Sequence, residues 1–327
     1  MSAVLKQEPF GSPGQIEVMI GLEPLVREQM DLHVSKRRLW FPNDLLSADA
    51  QSAPEEPAET ARMREAARGL PDTARVALAL NLLTEEGLPH FHRLIAVYLG
   101  NESPWNLWNN LWTAEEDRHG CAMRDYVRDA RIFKMGALER MQYLYVEAGF
   151  EPVWERDPYR LLAYTSLQEK ATQISHSNTG RLCGTYEPRI QRVLAHISAD
   201  ESRHYAFYRA CFGGILAADP NRSLQSLLKV TIGFAMPGHA VPHFDDMSEV
   251  LRRAEIFGPR HYQKIVEELL AFWNIGGLAG LDAEGREAQD KLMKIPARLL
   301  RMADYQDART KPRSFSFDFI YQRSIDC

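Results

Sequence analysis

The sequence predicts an all-α protein built as one large helical bundle, and three observations predict it. Ala, Leu, Glu and Arg are common while Gly (20) and Pro (18) are sparse, a balance that favours helix. Apolar residues recur at steps of three and four, and no strand-length β-branched run interrupts them between Thr60 and Ala308. Gly and Pro fall where helices should end: Leu70-Pro71, Gly100 to Pro104, Gly184 to Pro188, Ala218 to Asn221 and Met236 to Pro242.

The elements follow in order. Met1 to Leu22 contains Glu8 and Glu17 and has no apolar h-region, so it reads as neither a secretory signal nor a transit peptide. Leu22 to Leu39 is a short helical piece, followed by Trp40-Phe41-Pro42. Ser47 to Thr60 is polar, Pro-containing and without period, and reads as a flexible loop. Helix then follows helix to Ala308. In the tail, residues 314–327, Phe315, Phe317, Phe319 and Tyr321 alternate with other residues and predict a short strand or hairpin. Connections this short make the 327 residues one domain rather than two.

Composition excludes several classes. A net charge of −5 argues against wholesale nucleic-acid binding. No stretch is apolar enough for long enough to span a bilayer. Cys121, Cys183, Cys211 and Cys327 are scattered without a C-x-x-C pair, which suits free thiols in a reducing cytoplasm.

Two Glu-x-x-His motifs stand out: Glu116-Asp117-Arg118-His119 and Glu201-Ser202-Arg203-His204. On a helix, positions i and i+3 share a face, so both side chains of a motif can reach one ion. One such motif alone is weak, since a surface Glu and a satisfied His explain it equally well. Here the motifs lie on apolar stripes. One stripe runs Trp105, Trp108, Trp112, Glu116, His119, Met123, and the other Ile197, Glu201, His204, Tyr208, Cys211. A Glu on a buried face needs something to neutralise it.

A further Glu on an apolar stripe precedes each motif. Glu85 lies 31 residues before Glu116, and Glu169 lies 32 before Glu201. A helix from Glu85 to Gly100 rises about 21 Å, and the return from Pro104 to Glu116 covers about 18 Å, so a hairpin brings the two acids level. Glu169 to Gly184 and Pro188 to Glu201 cancel in the same way. Two facing hairpins then place four carboxylates and two imidazoles at one depth, the di-iron carboxylate arrangement. These donors suit iron or manganese better than zinc, and four carboxylates neutralise two divalent ions in a low-dielectric core. Glu86 competes with Glu85. Glu85 is preferred because it keeps the intervals even and because Pro89 cannot donate to its carbonyl, which bends the helix at the ligand turn.

At these residues the chain resembles the soluble acyl-acyl-carrier-protein desaturases, the stearoyl-type Δ9 enzymes of plastids and their bacterial relatives. The matching stretches include Thr84-Glu85-Glu86-Gly87-Leu88-Pro89, Trp112-Thr113-Ala114-Glu115-Glu116-Asp117-Arg118-His119-Gly120, Gln168-Glu169-Lys170-Ala171-Thr172, Ile174-Ser175-His176-Ser177-Asn178-Thr179 and Ala199-Asp200-Glu201-Ser202-Arg203-His204. Met236-Pro237-Gly238-His239, Gly280-Leu281-Asp282-Ala283-Glu284-Gly285 and the Phe-rich tail extend the likeness over nearly the whole chain.

The resemblance implies a ferritin-like di-iron bundle extended by extra helices, usually a homodimer, with two iron ions per chain. Their ligands would be Glu85, Glu116, His119, Glu169, Glu201 and His204, with Glu116 and Glu201 bridging. It implies a cis double bond placed in a fatty acyl chain on acyl carrier protein, with O₂ and two electrons from a ferredoxin-type donor. Thr172 would handle protons on the oxygen side, although a helix Thr bonding its own carbonyls is an equal reading. Asp200 and His176 would orient ligands. Trp112 and Trp40 would belong to an electron path, with core packing the stronger reading for Trp40. His90 and His92 read as satisfied histidines, and Tyr205 replaces an acidic residue of the plant enzymes. Lys36-Arg37-Arg38, Arg252-Arg253 and Arg298 to Arg301 are candidate basic patches for the acidic carrier.

Leu94, Val97 and Tyr98 lie 9, 12 and 13 residues past Glu85, and Leu161 lies 8 before Glu169. These four mark the expected far end of the acyl channel. Bulk at Tyr98 and Leu161, where plant enzymes carry smaller side chains, predicts a chain shorter than stearoyl. Two other classes compete: another di-iron oxidase, such as a hydroxylase or a ribonucleotide reductase small subunit with Tyr208 as its radical residue, and a non-catalytic iron-binding bundle.

Overall fold

The computed structural model describes residues 11–46, 56–100, 102–150 and 157–327. Among them are fourteen α-helices and one two-stranded antiparallel ribbon. A Ser12–Gln15 capping box starts α1 (Pro13–Gly21), and α2 (Glu23–Lys36) and α3 (Pro42–Leu46) follow. The sequence reading missed α1 even though its cap signature is present. Helix α4 (Glu56–Arg68) corrects the flexible loop expected over 47–60. Residues 47–55 lie outside the described residues, whereas Glu56 to Thr60 are already helical, because Ala and Glu outweigh the lone Pro57 near the helix start.

The bundle is made of two hairpins. The first consists of α5 (Asp72–Glu85), α6 (Leu88–Leu99) and α7 (Pro104–Ala130). After α8 (Met135–Ala148), the second pairs α9 (Pro158–Gly184) with α10 (Pro188–Ala218). Then come α11 (Pro220–Ile232), α12 (Phe244–Arg253), α13 (Pro259–Phe272) and α14 (Ala283–Ala308). Five of these helices open on Pro (Pro104, Pro158, Pro188, Pro220, Pro259), whose missing N–H costs nothing in a first turn. The carboxylates of Asp157, Glu187, Asp219 and Asp282 accept from free amides at the starts of α9, α10, α11 and α14.

The expected continuous helix from Glu85 to Gly100 is broken. Helix α5 ends on Glu85 itself and α6 starts at Leu88, three residues on. Pro89 removes one amide of the ladder, and Gly87 lets Tyr145 pack against the chain there. The tail forms a hairpin of β1 (Ser314–Ser316) and β2 (Ser324–Asp326), with Phe315 opposite Ile325. Its alternation survives mainly as burial: Phe315, Phe317 and Phe319 are buried while Tyr321 is exposed, and Phe319 lies in a 3-10 turn rather than a strand.

Two apolar clusters flank a polar layer. One collects α5, the C-terminal half of α7, the first half of α10, α8 and the tail. The other collects α6, the N-terminal half of α7, the first half of α9, the second half of α10, α11, α13 and α14, while α12 packs with the first. Glu116 and His119 on α7 and Glu201 and His204 on α10 fall at the junction where each helix passes from one cluster to the other, and Glu85 ends α5.

Candidate metal centre

The structure brings all six expected ligands into two overlapping buried groups. Glu85, Glu116, His119 and Glu201 form one, and Glu116, Glu169, Glu201 and His204 the other, with the donor atoms of each group within 4.8 Å of one another. Glu116 and Glu201 belong to both. Nδ1 of His119 lies 3.7, 3.5 and 3.4 Å from oxygens of Glu85, Glu116 and Glu201. Nδ1 of His204 lies 2.8 Å from Glu116 and 3.7 Å from each of Glu169 and Glu201. Glu86 turns away, accepting from Arg124 Nε and Gln142 Nε2 at 2.7 Å each.

The donors fit a pair of cations. His119 Nδ1, His204 Nδ1, Glu116 Oε1 and Glu201 Oε2 are buried, face the shared space and have no hydrogen-bond partner. Native proteins rarely leave such atoms unmatched. Four buried carboxylates this close cannot all stay ionised unless cations neutralise them. Burial and the charge of Glu201 push Glu169 well above the usual carboxylate range and push Glu116 up as well. Burial raises Glu201 too, but the imidazoles of His119 and His204 outweigh it and hold that carboxyl well below. Hard oxygens with two imidazoles are the donor set of iron or manganese.

Four of the six expected ligands are supported from the opposite hairpin. His119 Nε2 donates to Asp200 Oδ2 at 3.2 Å, and His204 Nε2 donates to Glu115 Oε2 at 2.9 Å. His176 Nε2 donates to Glu85 at 2.7 Å, and Trp112 Nε1 to Glu169 at 3.2 Å. Asp200 is itself held by Trp40 Nε1 at 2.9 Å, by Arg118 at 3.1 Å and by Arg203. Trp40 is thus a core residue and a link to His119 together.

Glu115, His33, Arg118 and Arg203 were missed by sequence reasoning. A signal was available: an acid precedes each Glu-x-x-His motif and an Arg precedes each His, so Asp200 had a counterpart in Glu115. Tyr205 donates to Glu268, away from the centre. His90 donates to the Val146 carbonyl and His92 meets Thr113, both off the cluster. Tyr208 is buried with its hydroxyl unpaired. The hydroxyl of Thr172 donates back to the carbonyls of Gln168 and Glu169, and the side chain is half-buried.

Three pockets that share lining residues lead towards the centre. The outer one is a cleft of about 1040 Å³ between α11, α12, α13 and α14, walled by Phe234, Phe257, Tyr262 and Leu299 and rimmed by Arg298 and Arg301. Met236, Phe244, Ser248 and Phe257 also line a small inner pocket that contains Thr84, Thr172 and His176. Thr84 and Thr172 in turn line a last pocket with Glu85, Glu116, Glu201, Leu88 and Phe91. Leu94, Tyr98 and Leu161 are buried and Val97 partly so, all in the apolar cluster beyond Phe91. The two inner pockets do not reach them.

Fold and site together define a helical bundle built around two overlapping buried Glu and His groups that could each hold a cation. Comparison places it: residues 14–321 match the family model described as fatty acid desaturase, and the chain belongs to that family. It is 33% identical to the Mycobacterium tuberculosis protein DesA1, named as an acyl-[acyl-carrier-protein] desaturase, over 86% of this chain and 84% of that one. It is 32% identical to the chloroplastic stearoyl-[acyl-carrier-protein] 9-desaturase of Gossypium hirsutum, over 96% of this chain and 83% of the relative. The solved structure of Mycobacterium tuberculosis DesA2 superposes with a TM-score of 0.62 at 18% identity, covering 83% of this chain and 99% of that one, which bears on the fold alone. Among the described residues no helix is long and apolar enough to cross a membrane.

Proposed function

We propose that this fatty acid desaturase is a di-iron enzyme that places a cis double bond in an acyl chain carried on acyl carrier protein. The observation that carries the reading is the sharing of Glu116 and Glu201 by two buried donor groups at the inner end of an apolar passage. Bound iron would supply the oxidising power, drawn from O₂, that acid–base side chains cannot bring to an unactivated C–H bond. Glu85, Glu116 and His119 with Glu201 would hold one ion, and Glu169 and His204 with the same two bridging acids the other.

The chain's own residues do the rest. The cleft binds apolar surface, and Met236, Phe244 and Phe257 narrow it before the centre, which excludes water. Exposed Arg298 and Arg301 at its rim attract an acidic carrier. Thr172 lies on the passage side of Glu169, where a hydroxyl can pass protons. Trp40, joined to His119 through Asp200, and flanking Lys36, Arg37 and Arg38 suit a ferredoxin-type donor. A homodimer, a single catalytic domain and a cytoplasmic setting complete the reading, the last supported by four free cysteines.

Expression with ferredoxin and its reductase, followed by mass spectrometry of the acyl products, tests it. A product two hydrogens lighter is expected. A product heavier by one oxygen would make the protein a hydroxylase, and Tyr208 in radical form would favour the reductase-like reading. Thr172→Val should keep iron but uncouple O₂ use from product.

A further inference from the structure

The two ligand imidazoles are backed by carboxylates that are themselves held differently. Asp200, behind His119, is fixed by an indole N–H and two guanidiniums. Glu115, behind His204, accepts on one oxygen from both His204 Nε2 at 2.9 Å and His33 Nε2 at 3.0 Å. Arg37 lies 3.7 Å from its other oxygen. The ring of His33 stacks on His204 with centroids 5.7 Å apart and 14° between planes, and stands edge-on to Trp108 at 5.2 Å. His33 and Arg37 belong to α2, outside both hairpins, and His33 is buried.

An ionised carboxylate only accepts hydrogen bonds, so both imidazoles must present Nε2–H to Glu115. His204 is thereby left with its Nδ1 lone pair aimed at Glu116, Glu169 and Glu201. Separations of 2.9 and 3.0 Å are hydrogen-bond lengths, so one Glu115 oxygen takes an N–H from each imidazole.

We propose that His33 is a positioning residue for the metal ion bound by His204: by holding Glu115 it fixes the tautomer and ring plane of that ligand. Helix α2 therefore clamps one half of the centre, while Trp40, Arg118 and Arg203 secure the other. This rests on the two-metal reading above and adds that the two ions depend on different parts of the chain.

Titrating the full-length metal-free protein with cobalt(II) tests it, with visible absorption reporting ligand geometry and chelator competition reporting affinity. The unaltered chain should bind two ions. His33→Ala should leave one ion bound as before and weaken the other at least about tenfold, the usual effect of losing such a partner. His33→Gln, whose amide can donate to Glu115, should recover most of that loss. If His33→Ala does not fold, Glu115→Gln keeps the packing and should show the same one-sided weakening. Two ions at unaltered affinity in these variants would overturn the proposal, and so would equal weakening of both ions. An unaltered chain that binds no pair of ions would overturn the two-metal reading, and this inference with it.

Discussion

The two hairpins carry the same pattern of a Glu and a Glu-x-x-His motif but are built differently. In the second, α9 runs unbroken for 27 residues through Glu169. In the first, the outbound helix stops at Glu85 and restarts at Leu88. The innermost pockets open on the broken side, lined by Thr84, Leu88 and Phe91 from α5 and α6 and by Thr172 from α9. Placement of the expected ligands is therefore close to two-fold symmetric, while the pocket just described is lined from the broken side of the first hairpin. A backbone break where helix carbonyls meet a cavity is a common mark of a functional turn.

The largest expected effect separates shared from unshared ligands. Glu116→Ala or Glu201→Ala removes a donor from both groups, so iron content should fall from two per chain to below one. Glu85→Ala or Glu169→Ala removes a donor from one group only, and at least one iron should remain. Iron analysis after anaerobic reconstitution checks this. Full two-iron loading in either shared-ligand variant would end the assignment, and equal losses in all four would remove the distinction between bridging and terminal roles.

Much of this centre was legible in the sequence because helix geometry is periodic. Intervals of 31 and 32 residues with Gly and Pro at the turns leave little choice about which acids come level. The extended helical fold, including its ends at Pro104, Pro188 and Ala308, followed from the same rules. What stayed hidden depended on contacts between segments far apart in sequence. His33 meets Glu115 across 82 residues, and no local pattern marks a His on a polar helix as buried. The choice of Glu85 over Glu86 could be weighed on spacing, but it was the partners of Glu86, Arg124 and Gln142, that showed where that side chain goes. The break at Glu85 was foreseen only as a bend, because the packing of Tyr145 on Gly87 involves a helix outside the hairpin.

A medium effect should distinguish the two outbound helices in stability. A methyl group on Gly87 would lie 2.5 Å from the hydroxyl of Tyr145, a buried side chain already tied to the Pro237 carbonyl at 3.1 Å. Gly87→Ala should therefore cost about 1–3 kcal/mol, the usual range for overpacking. Gly180 lies within the continuous α9, where a methyl would lie 3.2 Å from Leu194 Cβ. There the better helix propensity of Ala, worth about 1 kcal/mol, offsets the squeeze, and the net change should be small. Chemical unfolding of the metal-free variants decides the matter. Equal costs at both glycines would show that the break is no more tightly packed than the unbroken helix.

The smallest effect concerns the far end, where the outbound helices converge again. Tyr98 on α6 and Leu161 on α9 are buried in the same apolar cluster as Phe91, which lines the innermost pocket. An acyl chain that enters past Phe244 and continues past Phe91 would end against them. Each buried methylene contributes about 0.8 kcal/mol, close to fourfold in an equilibrium, so one or two excluded methylenes shift preference by single-digit to low double-digit factors. The unaltered enzyme should prefer palmitoyl or shorter chains over stearoyl when turnover on carrier-bound myristoyl, palmitoyl and stearoyl substrates is compared. Tyr98→Leu with Leu161→Ala should move that preference towards stearoyl, because the space released lies at the methyl end and not at the metal. A stearoyl preference in the unaltered enzyme, or a double variant whose ranking does not move, would place the end of the channel elsewhere and leave the convergence of α6 and α9 as core packing alone.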